Sequence, residues 1–254
     1  MEHLERVCAG GLSLLCVMAA NNEIGNIYPI QTVGQIARKY GIPFLCDASQ
    51  SVGKVPLKLE EWGITYLAVS AHKLYGPKGS GALIVRKGYH LEPILFGGGH
   101  QRGLRSGTLN VPGIVGLGEA CRLRQLEMNE DEKAIALKRD RLQSLLLNEI
   151  PGLVVNGDPT SHLSGNLHIY IPGIPNSAVI ARVRSQLAIS TGAACSSGVE
   201  APSHVLQALG LPSEVIEGAL RIGIGKFTTE EEIEQAAEIL STAVSLTRKA
   251  CLFI

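Results

Sequence analysis

Residues 65–79 read Thr-Tyr-Leu-Ala-Val-Ser-Ala-His-Lys-Leu-Tyr-Gly-Pro-Lys-Gly, an apolar run that leads directly into a polar, glycine-rich turn. The apolar part, Thr65–Val69, has the length and composition of a buried strand. The turn then places a hydroxyl, an imidazole and an amine at one strand end, on Ser70, His72 and Lys73. A partly buried lysine amine is suited to react with an aldehyde, and the other two side chains can hydrogen-bond a phosphate. Taken alone, a lysine at this position is more often a surface lysine in a turn, and only the surrounding residues favour the reactive role.

The segments around this stretch repeat the pattern of a short apolar run with a polar end. We interpret three further runs as buried strands: Leu12–Ala20, Pro43–Cys46 and Gly81–Val85. Between the first two, apolar residues at helical spacing predict a helix over Ile30–Tyr40. Alternating strands and helices are typical of a parallel α/β sheet. Ligands of such sheets bind beyond the carboxyl ends of the strands, so we expect the chemistry in the loops that follow them.

Asp47 ends the second of these runs, in Cys46-Asp47-Ala48-Ser49-Gln50. A carboxylate at a strand end is costly unless it is paired. Two interpretations are open: Asp47 pairs with the protonated ring nitrogen of pyridoxal phosphate while Gln50 donates to the ring oxygen, or Asp47 caps a following helix. The combination with Lys73 favours the cofactor role.

The C-terminal half predicts a second domain. A long helical pattern with a charged middle begins at Pro112, and shorter strands and helices after it indicate a small α+β domain. We therefore predict a partial cofactor-binding large domain over 1–111, and a connector helix with a small C-terminal domain over 112–254. In the last helix, Thr229 and Glu232 have the spacing of a capping box.

Composition excludes several classes of function. The 254 residues are 45% hydrophobic and 18% charged, and 23 basic residues balance 23 acidic ones. Without a cluster of basic residues, nucleic-acid binding is not expected. Leu12–Ala20 is the most apolar stretch and falls short of the ~20 residues of a membrane-spanning helix. The six cysteines have neither CxxC pairs nor a disulfide framework, which favours a reducing, cytoplasmic location, and we predict no permanent metal site.

Five motifs, in their order and spacing, resemble those of the cysteine desulfurases: Asn21-Asn22-Glu23-Ile24-Gly25, Asp47-Ala48-Ser49-Gln50-Ser51, Ser70-Ala71-His72-Lys73, the segment Gly97–Thr108, and Ser190-Thr191-Gly192-Ala193-Ala194-Cys195. The likeness extends from about Leu12 to Leu246 and is to the NifS/IscS-like branch of the class V aminotransferases. It implies the fold of type I pyridoxal 5′-phosphate (PLP) enzymes, an α/β fold with a mainly parallel sheet in a partial large domain and a small α+β domain.

The resemblance also implies how PLP is held. Lys73 is expected to form the Schiff base with the cofactor and to move the Cα proton of the substrate. Asp47 is expected at the pyridine nitrogen, Gln50 at the ring hydroxyl, and Ser70 and His72 at the phosphate.

The remaining implied roles concern the substrate and the partners. Asn22 is expected near the cofactor and the substrate, and Arg221 is expected to bind the substrate carboxylate. Thr108 would reach the phosphate in a neighbouring subunit, which implies a homodimer. Cys195 is expected to take the sulfur of L-cysteine as a persulfide, to pass it to a sulfur acceptor or an iron–sulfur scaffold protein, and to be able to ligate an iron–sulfur cluster transiently.

Cys195 differs from the other cysteines in its surroundings. A single cysteine is more often a buried apolar side chain than a nucleophile, and the other five fit that description. Cys195 lies in Thr-Gly-Ala-Ala-Cys-Ser-Ser-Gly, which has no apolar periodicity and is typical of a loop.

The family is longer than this chain, and the matching part lacks about the N-terminal third. In the family that third supplies a histidine stacked on the cofactor and a Gly/Ala-Thr turn that binds the phosphate. We therefore expect an exposed sheet edge and an uncovered apolar face. Three functions remain open from the sequence: a cysteine desulfurase, a selenocysteine lyase with the same cofactor chemistry, and a catalytically silent chain that acts only by binding partners.

Overall fold

The computed structural model of the chain describes residues 1–191 and 202–251. The chain divides into two units, each made of two stretches: Met1–Ala20 with Ile27–Met128, and Asn21–Asn26 with Asn129–Ile254. The long helix α3 (Val111–Glu149) contributes to both units. The domain boundary predicted between residues 111 and 112 lies at the start of this helix, and the function assigned to each side of it stays a prediction.

The first unit is built on a four-stranded sheet in the order β1-β2-β3-β4. The strands are β1 (Leu15–Met18), β2 (Phe44–Asp47), β3 (Tyr66–Ser70) and β4 (Gly81–Val85). The first three run parallel, and β4 pairs antiparallel with β3. Helices α1 (Glu2–Ala9) and α2 (Ile30–Lys39) belong to the same unit. The parallel pairing agrees with the sheet predicted from the alternation of strands and helices.

Helix α2 buries one face because apolar side chains recur along it every three or four residues. The core that it shares with β2 contains Ile30, Val33, Ile36, Ala37, Phe44 and Cys46. Gly34 is buried in the same helix, and a Cβ atom built there would lie 1.6 Å from the carbonyl oxygen of Trp62. The backbone around Trp62 therefore approaches α2 so closely that only glycine fits at this position.

Strand β4 differs from the prediction of a buried strand. Leu83 is 49% exposed and Ile84 is 38% exposed. The reason is that β4 is an edge strand, paired with β3 alone within the described sheet. Other exposed apolar side chains of the first unit follow it in sequence: Ile94, Leu95, Phe96, Val111, Ile114 and Val115. The expected exposed edge and uncovered apolar surface are thus present in this unit.

Two cysteines also differ from the expectation of buried apolar side chains. Cys16 and Cys121 are exposed, whereas Cys8 and Cys46 are buried. Cys16 lies in the edge strand β1, where neighbouring side chains point to opposite faces, so Leu15 is buried and Cys16 is not. An apolar run alone did not reveal which of its faces is covered.

The second unit contains a three-stranded antiparallel sheet in the order β5-β6-β7. Its strands are β5 (Val154–Val155), β6 (Asn166–Tyr170) and β7 (Ala219–Gly223). Its helices are α4 (Asn176–Val183), α5 (His204–Ala208), α6 (Ser213–Glu217) and α7 (Glu230–Cys251), together with the C-terminal part of α3. One face of the sheet packs on α3, α4 and α7 through a core that includes Leu142, Leu146, Ile169, Val179, Leu220 and Ile233.

Helix α7 begins with the capping box that the sequence predicts. The backbone N–H of Glu232 donates to Oγ1 of Thr229 at 3.2 Å, and the backbone N–H of Thr229 donates to Oε2 of Glu232 at 2.8 Å. Both bonds satisfy donors that a helix start leaves without partners. No helix within the described ranges combines the length and the apolar character needed to span a membrane.

Candidate active site

Polar side chains stand at the carboxyl ends of β2 and β3, the two central strands of the first sheet. Asp47 is the last residue of β2, and Ser70 is the last residue of β3. The two strands are parallel, with Asp47 opposite Ala68, so their ends lie at the same edge of the sheet. Lys73 follows in a short turn, Ala71–Leu74, that continues directly from β3. The fold thus brings Asp47, Ser70 and Lys73 to one edge.

The turn Ala71–Leu74 presents Lys73 to the outside. It is a single turn of 3-10 helix, in which residues three apart lie on the same side. Its first and last residues are buried against α3, which leaves His72 exposed and Lys73 half-buried between them. Tyr75 closes the turn with φ 68°, a left-handed conformation that is unfavourable for a non-glycine residue. Burial on one side and the fixed backbone after it set the direction of Lys73.

Hydrogen bonds orient the polar groups at this edge of the sheet. Oγ of Ser70 lies 3.0 Å from Nδ1 of His72, and Oδ1 of Asp47 accepts the backbone N–H of Ser49 at 2.9 Å. Successive turns over 49–54, rather than an α-helix, follow Asp47, so the alternative role as the cap of a helix does not apply. In the described part of the chain, neither Asp47 nor Lys73 takes part in an ion pair. Both charged groups remain available to a ligand.

Gln50 and Thr108 lie in loops of the first unit. Gln50 is half-buried in the turns after β2, and Thr108 is exposed in the loop between β4 and α3. That loop folds back on itself, with the backbone N–H of Ser106 donating to the carbonyl of Leu95 at 3.1 Å. No hydrogen bond among the described residues joins Thr108 to Lys73, so its expected contact with a neighbouring subunit stays a prediction.

The second unit has a polar face on the side of its sheet opposite the apolar core. Leu167 and Ile169 belong to the core, whereas His168 between them faces the other way, directly across from Arg221 of β7. Arg221 is half-buried, and its Nη1 donates to the carbonyl oxygen of Asn22 at 2.8 Å. This face therefore brings together Asn22 and Arg221, the two residues expected to bind the substrate.

His168 is a neutral neighbour of Arg221. It is 1% exposed, and this burial, together with the positive charge of Arg221, lowers its pKa to about 4. Nδ2 of Asn156 donates to Nδ1 at 3.1 Å, whereas the buried Nε2 has no hydrogen-bond partner within the residues described. An uncharged imidazole does not compete with Arg221 for an anionic ligand.

The burial of His168 makes the stability of the second unit depend on pH. The unfolded chain binds a proton at a pKa of about 6.5, whereas the folded chain does so only at about 4. The contribution of the neutral His168 to the free energy of unfolding is therefore fully present above pH 6.5, and it is lost as the pH falls from 6.5 towards 4. Between pH 7 and pH 4, we expect the free energy of unfolding of the wild type to fall by about 3 kcal/mol relative to His168→Gln. Urea titrations at a series of pH values would measure the difference, and parallel curves for the two proteins would contradict it.

The candidate nucleophile Cys195 lies outside the described residues, and its role stays a prediction. Cys46 directly precedes Asp47 in β2 but is fully buried. Burial, followed by the charge of Asp47, raises the pKa of its thiol to about 12. Partial burial also raises the pKa of Cys121. Because the thiolate is the reactive form of cysteine, the raised pKa disfavours both side chains as nucleophiles, Cys46 most strongly because it is also inaccessible.

Comparison with known proteins shows which family the chain is part of. Residues 1–236 match the model of the aminotransferase class-V family. The chain belongs to the aminotransferase class-V family. Over 251 residues it is 40% identical to the mitochondrial cysteine desulfurase of Arabidopsis thaliana, a match that covers 98% of this chain and 55% of that protein. The chain thus spans little more than half the length of this curated relative.

Two solved structures have the same fold as this chain. A NifS-like protein from Rickettsia africae superposes with a TM-score of 0.88 at 29% identity, over 96% of this chain and 66% of that one. A structure described as SspA in complex with cysteine superposes with a TM-score of 0.73 at 32% identity, over 89% of this chain and 63% of that one. The predicted fold class, the α/β fold of type I PLP enzymes with a small α+β domain, is confirmed.

The cofactor of the aminotransferase class-V family is PLP, and the edge formed by β2 and β3 has suitable groups for it. The amine of Lys73 can react with the aldehyde of PLP, and the carboxylate of Asp47, which has no ion pair, can accept from its protonated ring nitrogen. The hydroxyl and imidazole of Ser70 and His72 can bind the phosphate. The residues of the first unit therefore fit this group. Among the described residues, no group of three His, Cys, Asp or Glu side chains is arranged to hold a metal ion.

Sequence reasoning overlooked three residues around Arg221. Glu23 lies inside a motif that it identified, but only the neighbouring Asn22 received a role. Ser203 directly precedes α5, and a serine in that position is typical of a helix cap, so the sequence contained a signal for its capping role. Nothing in the sequence marked His168, because its position opposite Arg221 depends on the register of β6 and β7.

Proposed function

We propose that the protein is a PLP-dependent cysteine desulfurase. The observation that carries this proposal is the meeting of Lys73 and Asp47 at one edge of a parallel sheet, in a chain of the aminotransferase class-V family. The reaction converts L-cysteine to L-alanine. The C–S bond of the substrate breaks, a proton takes its place on carbon, and the sulfur atom forms an S–S bond with the thiolate of Cys195 to give a persulfide. No external oxidant or reductant is needed, because the sulfur is transferred and the atoms balance.

The residues of the first unit would hold the cofactor and move a proton. When bound, PLP supplies an aldehyde and a ring that withdraws electrons from the substrate Cα. Lys73 would hold the aldehyde carbon and would carry a proton to and from the substrate Cα. Asp47 would hold the ring nitrogen in its protonated form, and Gln50 would donate to the ring oxygen. Ser70 and His72, already within hydrogen-bond distance of each other, bind the phosphate.

The residues of the second unit would bind the amino acid and accept its sulfur. Arg221 has no carboxylate partner among the described residues, so its guanidinium is available to the substrate carboxylate as a bidentate partner. Asn22, whose carbonyl holds Arg221, lies beside that site. Cys195 attacks the substrate sulfur as a thiolate. On this proposal residues 1–111 form the cofactor domain and residues 112–254 the connector and the domain with the catalytic cysteine.

We also propose the partners that the family implies. The active form would be a homodimer in which Thr108 completes the phosphate site of the second subunit, and the exposure of Thr108 supports this role. The exposed apolar side chains of the first unit favour association. The persulfide would pass to a sulfur acceptor or an iron–sulfur scaffold protein in the cytoplasm, where Cys195 can ligate a cluster transiently.

The decisive experiment compares the wild type with Cys195→Ser after addition of PLP and L-cysteine. We expect both proteins to develop the visible absorbance of lysine-bound PLP, because Cys195 does not hold the cofactor. Only the wild type should form alanine and a persulfide, in equal amounts. Absence of the absorbance from the wild type would contradict the proposal and favour a silent chain, and turnover of selenocysteine without turnover of cysteine would favour a selenocysteine lyase.

A further inference from the structure

The segment Asn21–Asn26 belongs to the second unit, although the chain on both sides of it belongs to the first. It lies on the polar face of the β5-β6-β7 sheet. Nδ2 of Asn166 donates to the carbonyl of Glu23 at 3.1 Å, and the backbone N–H of Leu163 donates to the carbonyl of Gly25 at 2.9 Å. Gly25 has φ +76°, and a Cβ atom there would lie 2.8 Å from the side chain of Asn166. The segment is thus tightly fitted to β6 rather than resting loosely on it.

Glu23 is the least accessible side chain of this segment and is bound to a distant serine. It is 1% exposed, and its Oε2 accepts a hydrogen bond from Oγ of Ser203 at 2.5 Å. Ser203 is itself 6% exposed, and its Oγ also accepts the backbone N–H of Leu206 at 3.2 Å, which caps α5. A buried carboxyl group is costly without a hydrogen-bond donor, so the two side chains depend on each other.

The residue next to Glu23 holds the guanidinium of Arg221. The carbonyl of Asn22 accepts from Nη1 of Arg221 at 2.8 Å. The backbone of Arg221 is fixed as well, since its N–H donates to the carbonyl of Ser190 at 2.7 Å and its carbonyl accepts the N–H of Ser190 at 3.2 Å. The guanidinium, in contrast, is held by the Asn22 carbonyl, which belongs to the peptide group that joins Asn22 to the anchored Glu23. The N–H of the same peptide group donates to Oδ1 of Asn21 at 2.8 Å.

We propose that Glu23 and Ser203 form a positioning pair that holds the Asn22 carbonyl in place and thereby orients Arg221 for a carboxylate ligand. The inference deepens the proposed function, on which it rests, because the ligand is the carboxylate of the amino-acid substrate. An unrestrained arginine side chain has many rotamers, and fixing one of them on binding costs free energy. Because the pair fixes the rotamer when the protein folds, the guanidinium has the binding orientation before the substrate binds.

The first test observes Arg221 directly and requires neither cofactor nor turnover. In the full chain labelled with nitrogen-15 arginine, the Nε–H signal of Arg221 is assigned by its loss in Arg221→Lys. We expect Glu23→Ala and Ser203→Ala to shift this signal to the position of a free arginine side chain. Ser203→Thr, which keeps the hydroxyl, should restore it. Thr247→Val is the matched control, because it removes another buried hydroxyl hydrogen bond of the second unit, from Thr247 Oγ1 to the carbonyl of Ala243.

The second test measures kinetics on the PLP-loaded protein. Loss of the pair should raise KM for L-cysteine about tenfold, a change that corresponds to the free energy of about one hydrogen bond. We expect kcat to stay within about twofold of the wild-type value. An unchanged Arg221 signal in Glu23→Ala, or an equal shift in Thr247→Val, would overturn the inference. If the wild type does not turn over cysteine, the proposed function fails, and the Arg221 signal alone still decides whether the pair positions the guanidinium.

Discussion

Replacement of Gly34 with alanine is expected to destabilise the first unit by about 3 kcal/mol or more. In most helices the same change is stabilising by about 1 kcal/mol, because alanine has the higher helix propensity. Here the added Cβ would lie 1.6 Å from the carbonyl oxygen and 2.8 Å from the carbonyl carbon of Trp62. These are backbone atoms, so no side-chain rotation relieves the clash, and α2 must move away from the core that it shares with β2.

The chain offers both a reporter and a control for this experiment. Trp62 is the single tryptophan of the sequence, so its fluorescence during urea unfolding follows the affected unit. Gly118→Ala is the matched control, because Gly118 lies within helix α3, is exposed, and has no atom within 4 Å of the added Cβ. We expect this control to be stabilised by about 0.5–1 kcal/mol. Equal stability changes in the two variants would refute the close packing at Gly34.

Lys73→Ala is expected to abolish the visible absorbance of lysine-bound PLP and to lower alanine formation by about a thousandfold or more. Two proposed functions would be lost together, because on our proposal the amine both takes up the cofactor and serves as the acid and base at the substrate Cα, each worth orders of magnitude in rate. Absorbance spectra after addition of PLP, followed by an alanine assay with L-cysteine, measure both effects on the same sample.

The control for Lys73 lies a few residues further along the chain. Lys78 is an exposed lysine of the glycine-rich segment that follows, and Lys78→Ala removes an amine without touching the proposed site. It should keep the absorbance and the activity of the wild type. Were Lys78→Ala to lose the absorbance while Lys73→Ala kept it, the proposed cofactor lysine would be the wrong one.

The sequence predicted the parts of the fold that depend on local pattern. The runs ending at Asp47 and Ser70 formed parallel strands, and Thr229 and Glu232 capped α7, because periodicity and capping act over a few residues. Exposure was predicted less well. Leu83 and Cys16 lie in apolar runs but are exposed, since the composition of a strand does not reveal what covers its faces.

In the candidate site, too, the features that depend on local pattern were predicted and those that depend on long-range contacts were not. Asp47 and Lys73 were predicted at one sheet edge from the rule that parallel strands end together, and the structure places them there. The arrangement around Arg221 was beyond local reasoning. His168 lies opposite Arg221 through strand register, and Glu23, which follows the Asn22 that accepts from Arg221, is bonded to Ser203, 180 residues away.

The membership of residues 21–26 in the second unit has a consequence for the order of events during synthesis. Asn22 and Arg221 are 199 residues apart, and both must exist before their bond can form. At the usual rate of about 5–20 residues per second, Asn22 waits about 10–40 s for Arg221 to be made. The flanking first unit can fold from the early part of the chain during that time. The second unit can complete its polar face only after the ribosome has delivered residue 221.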